Sequence, residues 1–196
     1  VLFRSVFNNP DKIPTDISFK NQMVSSYNHA IHDDPLVRAY LALAMGVTQD
    51  NFYATVLVDG LNDENRESRL AAVQAVGMIG TSAASPKLKE LVQDSNFPQE
   101  RLASTIALGL IGDEESIPLL RELLEDEEPN IQWDAAIGLA KMGDSTGAFI
   151  IESLMDRHYL SAFPQVDESE KNQAILIAIE VASFLKNDRL ENKLIS

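Results

Sequence analysis

Apolar residues recur along this chain three and four apart, in blocks separated by short polar turns. Ile117, Leu120, Leu123 and Leu124 form one such block, Leu88, Leu91 and Val92 a second, and Ile151, Leu154 and Met155 a third. That spacing puts the apolar side chains of each block on one face of a helix. Met23, Tyr27 and Ile31 make an i, i+4 stripe that predicts a helix over 17–32, and Gln173 to Leu185 predicts a strongly apolar final helix. Between the first-type helices lie segments rich in Ala and Gly, with Ala72, Ala75 and Gly77 in one and Ala103, Ala107 and Gly109 in another. Small residues at these places let neighbouring helices approach closely.

The Ala-rich segments repeat. Arg69 to Gly80 and Arg101 to Gly112 carry Arg, Ala, Ala, Gly, Ile and Gly at identical offsets. Gln132 to Gly143 is a third copy, and a weaker one begins at Arg38. The copies start at 38, 69, 101 and 132, so the period is 31–32 residues, in the range of helical repeat arrays. Pro86 and Pro118 fall six residues past Gly80 and Gly112, where a first-turn proline loses no bond the helix needed. Gly80, Gly112 and Gly143 stand where a left-handed residue ends a helix. Each unit therefore reads helix, turn, helix, glycine stop. Residues 1–16, with Pro10 and Pro14, are an entry segment, and 17–196 are expected to form one solenoid. The last copy is displaced to about 40 residues from Gln132 by an insertion near 158–171, and its helix is read as a divergent cap.

These residues resemble HEAT-like repeats, particularly the short-period class typified by phycobilisome-lyase proteins. An acidic, Pro-containing turn leads into Val-Arg at Asp34-Pro35-Leu36-Val37-Arg38, and the Ala-Ala-x-x-Ala motif running to Gly-x-Ile-Gly spans Arg69 to Gly80 and, less strictly, Arg101 to Gly112. The resemblance implies an all-α fold, a right-handed α-α superhelix (solenoid) of about five antiparallel helix pairs. It says little of function, because the matching positions build the stack. It also raises a bilin lyase or chromophore chaperone that acts with a second repeat subunit on a linear tetrapyrrole. Some enzymes of this class hold a di-iron centre through His-Glu pairs, but Ala30, Asp33 and Tyr159 follow the three histidines here. Gln132 departs from the expected Arg.

Charge narrows the partners. The 196 residues are 45% hydrophobic and carry a net charge of −14, which repels phosphate backbones and anionic lipid. Neither nucleic acid nor membrane is expected as a partner, and no apolar run approaches the roughly 20 residues of a membrane span. Residues 113–170 hold fifteen acids and three bases, including the run Glu125, Asp126, Glu127 and Glu128, so a basic partner surface is expected to dock toward the C-terminal half. The absence of cysteine excludes disulfides and thiolate chemistry, and with it goes an expectation of a cytoplasmic location. The start, Val1-Leu2-Phe3-Arg4, is neither an initiator Met nor a signal peptide, and is expected to continue a longer chain.

Catalytic motifs are wanting: the sequence holds no Gly-x-Ser-x-Gly elbow and no phosphate-cradling loop. No catalytic residue and no cofactor is assigned. His29 and His32, at i, i+3 before Asp33 and Asp34, have the spacing of metal ligands; the competing reading is a polar helix end beside its negative dipole, and no metal site is assigned. The repeat arginines Arg38, Arg69 and Arg101 are read as partners of acidic residues in adjoining turns.

The expected functional surface is the outward row of the second helices, counted at the third, sixth and tenth places from each Arg position. Those places hold Tyr40, Leu43 and Val47; Ala71, Gln74 and Met78; Ala103, Ile106 and Leu110; and Asp134, Ile137 and Lys141. Tyr40, Leu43, Met78, Ile106, Leu110 and Ile137, with Trp133 beside them, are the candidate protein-binding residues, because exposed apolar stripes mark interaction sites. A non-catalytic scaffold that binds a protein or peptide follows. The alternatives are the lyase-like reading and a regulatory segment of a larger protein.

Overall fold

A computed structural model describes residues 13–30, 34–94 and 96–185. They group into two compact units, divided between Ile111 and Gly112. Eleven α-helices and no strand are found among the described residues.

In the first unit, α1 (Ile17–His29) is started by Asp16, whose carboxylate accepts from the Phe19 amide at 3.0 Å, and it turns Met23 and Tyr27 inward. The segment expected to continue it to 32, with Ile31 and His32, lies outside the described residues. Asp34 caps α2 (Pro35–Val47), accepting from the amides of Leu36 and Val37, with Pro35 in the first turn. Next come α3 (Ala54–Gly60) and α4 (Arg66–Ile79), the latter capped by Asn65. The third pair is α5 (Ser85–Asp94) and α6 (Pro98–Ile111). Gly80 ends α4 with φ +77°, and open space surrounds it. Its role is conformational, as the repeat predicts.

The second unit holds α7 (Ile117–Glu122), flanked by 3-10 turns at 114–116 and 123–125, then α8 (Pro129–Lys141) and α9 (Ala148–Leu154). Two features depart from the sequence reading. The insertion contains a short helix, α10 (Arg157–Ser161). The last helix, α11 (Glu168–Ala182), begins five residues before Gln173. The reason is a capping box: Asp167 accepts from the Glu170 amide at 2.8 Å while the Glu170 carboxylate accepts from the Asp167 amide at 2.9 Å. The acids read as an insertion loop are the helix start.

Second helices within the first unit pack backbone to backbone. A Cβ built on Gly46 of α2 would lie 2.7 Å from Ala75 Cα of α4, and one on Gly77 of α4 would lie 3.0 Å from Ala107 Cα of α6. First helices supply the bulk: Leu88, Leu120 and Ile151, at matching repeat positions, are fully buried. The same close packing buries Ala71, which the outward row was expected to expose.

The repeat arginines are structural. Arg38 pairs with Asp63 at 2.6 Å, both buried, and stacks over the Tyr27 ring at 4.6 Å. Arg69 pairs with Glu100 at 2.6 Å and also donates to the Asp63 carbonyl. Arg101 Nε donates to the Val92 carbonyl at 3.0 Å. Gln132, in the Arg place, donates to the Asp126 carbonyl at 2.5 Å. Arg69 and Gln132 thus reach the same carbonyl, six residues back, so the amide keeps the local bond and drops the forward ion pair.

Candidate protein-docking surface

The outward row of the first unit is built by periodicity. In α4 and α6 the fourth, fifth and seventh to ninth places are buried, the third is buried in α4 (Ala71) and half-buried in α6 (Ala103), and the sixth and tenth are left for solvent. Beyond their first turns, the exposed positions of α4 and α6 are Gln74, Met78, Ile106 and Leu110. Met78, Ile106 and Leu110 are 36%, 39% and 48% exposed, and Tyr40 on α2 is 43% exposed. Leu43 and Val47 are half-buried. The Gly77–Ala107 contact draws the rows together, and Leu110 Cδ1 reaches within 3.6 Å of the Cβ place on Gly77.

Past their first turns the same helices carry no charge. Residues 39–47, 70–79 and 102–111 contain no Asp, Glu, Lys, Arg or His, in a chain that is 23% charged. This signal is present in the sequence and marks the face independently of the counting of places. Solvated helix faces carry charge; an exposed one without any is suited to contact with another apolar surface.

The second unit does not continue the pattern. Trp133, expected as an exposed anchor, is 7% exposed. The insertion covers it: Phe163 packs edge-on at 4.9 Å between centroids, and the indole N–H donates to the Tyr159 hydroxyl at 3.2 Å. Ile137 is half-buried, and the third and tenth places are Asp134 and Lys141. Burial pushes the Asp134 carboxyl up to about 7, a rise that Lys141 only partly opposes. Asp134 lies on the outward row, but its partial burial depends on tertiary packing, which periodicity does not register. Leu176 and Ile179 of α11 are also exposed.

The remaining candidates are structural in character. Glu125, Glu127 and Glu128 are exposed on the turn before α8, and Asp126 accepts from the Glu128 amide at 3.0 Å. The His29 ring Nδ1 donates to the Ser25 carbonyl at 2.6 Å, a local helix-end bond; His32 lies outside the described residues. No group of three or more His, Asp or Glu among the described residues is arranged to hold a metal ion. A cavity of about 330 Å³ in the first unit is lined by Leu61, Leu91 and Phe97 with Arg69 and Lys87, whose charges are engaged by Glu100 and Glu90. No described helix is long and apolar enough to cross a membrane.

The helix pairs, glycine stops and repeat arginines agree with the comparison to known families, in which the model for HEAT repeats matches residues 29–109 and 93–159. The chain belongs to the HEAT-repeat family. Among solved structures, this HEAT-repeat chain is similar to a chain in the complex of CpcE and CpcF of phycocyanin lyase from Nostoc sp. PCC7120. The TM-score is 0.64 at 19% identity, over 97% of this chain and 86% of the other. The likeness is one of fold. No curated protein sequence matches the HEAT-repeat chain.

Proposed function

We propose that the chain is a non-catalytic HEAT-repeat module that binds a protein partner on the second-helix face of its first unit. The observation that carries the reading is the uncharged, exposed row of Tyr40, Met78, Ile106 and Leu110 on consecutive packed helices. Likeness to a chain from a complex of two proteins supports a protein as partner. Anchoring by such residues is a matter of desolvation, so charge on the face abolishes it. The variant Met78→Asp/Ile106→Asp is expected to lose crosslinked capture of its partner from the source lysate while keeping the helical circular dichroism of the native chain. Unchanged capture, or loss of the helical signal, would overturn the reading.

The same structural likeness favours a second reading, a lyase-like protein that handles a linear tetrapyrrole with a partner subunit. Mixing the chain with a bilin and recording the visible spectrum separates the two. A shifted, intensified band supports the lyase-like reading, and a spectrum equal to that of the free pigment supports the scaffold.

A further inference from the structure

Eleven residues past the first place of a repeat, three second helices are followed by a left-handed glycine: Gly80 at φ +77°, Gly112 at +68° and Gly143 at +76°. The same place after Arg38 holds Gln49, at φ +53°. Among the described residues it is the one residue other than glycine with a positive φ. A Cβ in this region crowds the carbonyl that follows it, so glycine adopts the conformation freely and glutamine adopts it under strain. The Gln49 amide donates to the Gly46 carbonyl at 3.0 Å, a helix-ending bond that glycine makes equally well. The backbone therefore gains nothing from glutamine, and strain of this kind collects where a side chain serves a ligand.

The Gln49 side chain has a place to act. Gln49 lines a cavity of about 370 Å³ in the first unit, at the small end of the range for ligand sites. Ile13, Pro14 and Val47 form its apolar side. The other polar side chains of the lining are largely engaged. Lys20 is ion-paired with Asp50, the Thr48 hydroxyl donates to the Met45 carbonyl at 2.6 Å, and the Tyr53 hydroxyl donates to Met23 Sδ at 3.5 Å. Among the described residues, the Gln49 carboxamide and the Thr15 hydroxyl have no such partner. Both are neutral, and each can donate and accept. A carboxylate in the cavity would meet Asp50 and an ammonium would meet Lys20, so either ion must break the existing pair to bind. The matching group presents N–H and C=O together without charge, as an amide does.

From the strained Gln49 beside this cavity, we infer that it is a binding site for an uncharged peptide segment of a protein partner. One residue of the segment donates its N–H to Gln49 Oε1 and accepts from Gln49 Nε2 through its C=O. Its apolar side chain fills the space against Ile13, Pro14 and Val47. The site is separate from the α4 and α6 row and does not depend on it.

The probe is N-acetyl-leucine N′-methylamide, which carries a peptide unit on each side of one apolar side chain and no charge. It is titrated into the full chain labelled with 13C at the valine methyls, with Val47 as the reporter. A saturable Val47 shift is expected, and free leucine, a zwitterion, is expected to bind at least about tenfold more weakly. Gln49→Met keeps the side-chain length and the backbone strain, so at least about a tenfold loss of affinity is expected at an unchanged melting temperature. Gln49→Gly is expected to lose affinity as well and to raise the melting temperature by about 1–4 °C as the strain is released. Absence of a saturable shift would overturn the proposal. So would equal or tighter binding of free leucine, which points to a charged ligand. Undiminished affinity in Gln49→Met or Gln49→Gly would show that the carboxamide is idle, and a Gln49→Gly chain that melts no higher would show that glutamine stores no strain; either result also overturns it.

Discussion

Asp134 illustrates how much a single side chain depends on its surroundings. Its carboxyl titrates at about 7 because burial penalises the anion more than Lys141 stabilises it. The folded-state pKa therefore lies above the unfolded value, and the native state binds the proton more tightly than the unfolded chain does. Stability associated with this group is full below about pH 4 and is lost progressively as pH rises to about 7. A rise of that size sets a ceiling of about 4 kcal/mol on the contribution, which contact with solvent reduces. Asp134→Asn is expected to raise the melting temperature at pH 8 and to leave it unchanged near pH 4. Thermal melts of both proteins across that range check this; an equal difference at both ends would show that the carboxyl is not perturbed. Arg38 and Asp63 present the opposite case. Both are buried and paired, so Asp63→Ala strands a charge in the core and is expected to cost roughly 3–5 kcal/mol in urea unfolding. A loss below about 1 kcal/mol would mean that water reaches the guanidinium.

At the scale of elements, the glycines divide into two kinds that the sequence alone does not distinguish. Gly80 serves conformation, with φ +77° and free space for a side chain. Gly46 serves contact, since a Cβ there meets backbone at 2.7 Å. Gly46→Ala gains about 1 kcal/mol of helix propensity and forces α2 away from α4, which costs about 1–3 kcal/mol. The net expectation in chemical denaturation is destabilisation; a stabilised variant would show that the helices part without loss. Helix starts are legible wherever a cap or first-turn proline precedes them, as at Asp34-Pro35 and Pro118. The start of α11 is not, because the Asp167–Glu170 capping box lies within acids that composition assigns to a loop. Trp133 is misplaced by its sequence for a related reason. Its covering residues, Tyr159 and Phe163, come from the insertion and so from outside the repeat register that puts Trp133 on the surface. Periodicity reports which face of a helix its repeat neighbours bury, and it is silent about segments that break the period. As the only tryptophan in the chain, Trp133 reports on that packing: Phe163→Ala is expected to red-shift its fluorescence, and an unmoved maximum would place the indole elsewhere.

For the molecule as a whole, charge and apolar surface are separated along the sequence. Fifteen of thirty acids fall in 113–170, whereas the second helices of the first unit carry no charge past their first turns. Two modes of association follow, and salt distinguishes them. Attraction of a basic surface to the exposed acids Glu125, Glu127 and Glu128 decays as the screening length falls from above 10 Å to about 4 Å between about 0.05 and about 0.5 M salt. Burial of Met78, Ile106 and Leu110 has no such dependence, and salts that are excluded from protein surfaces strengthen it. If the wall holds the partner, capture persists across that range, and Glu125→Gln/Glu127→Gln/Glu128→Gln lowers only the association rate at low salt. The same triple variant should leave the dissociation rate unchanged, whereas Met78→Asp/Ile106→Asp raises it at every salt concentration. Surface-plasmon kinetics of the captured partner at both ends of the range tests this directly. A dissociation rate that rises steeply with salt would move the main contact from the apolar row to the acidic turn.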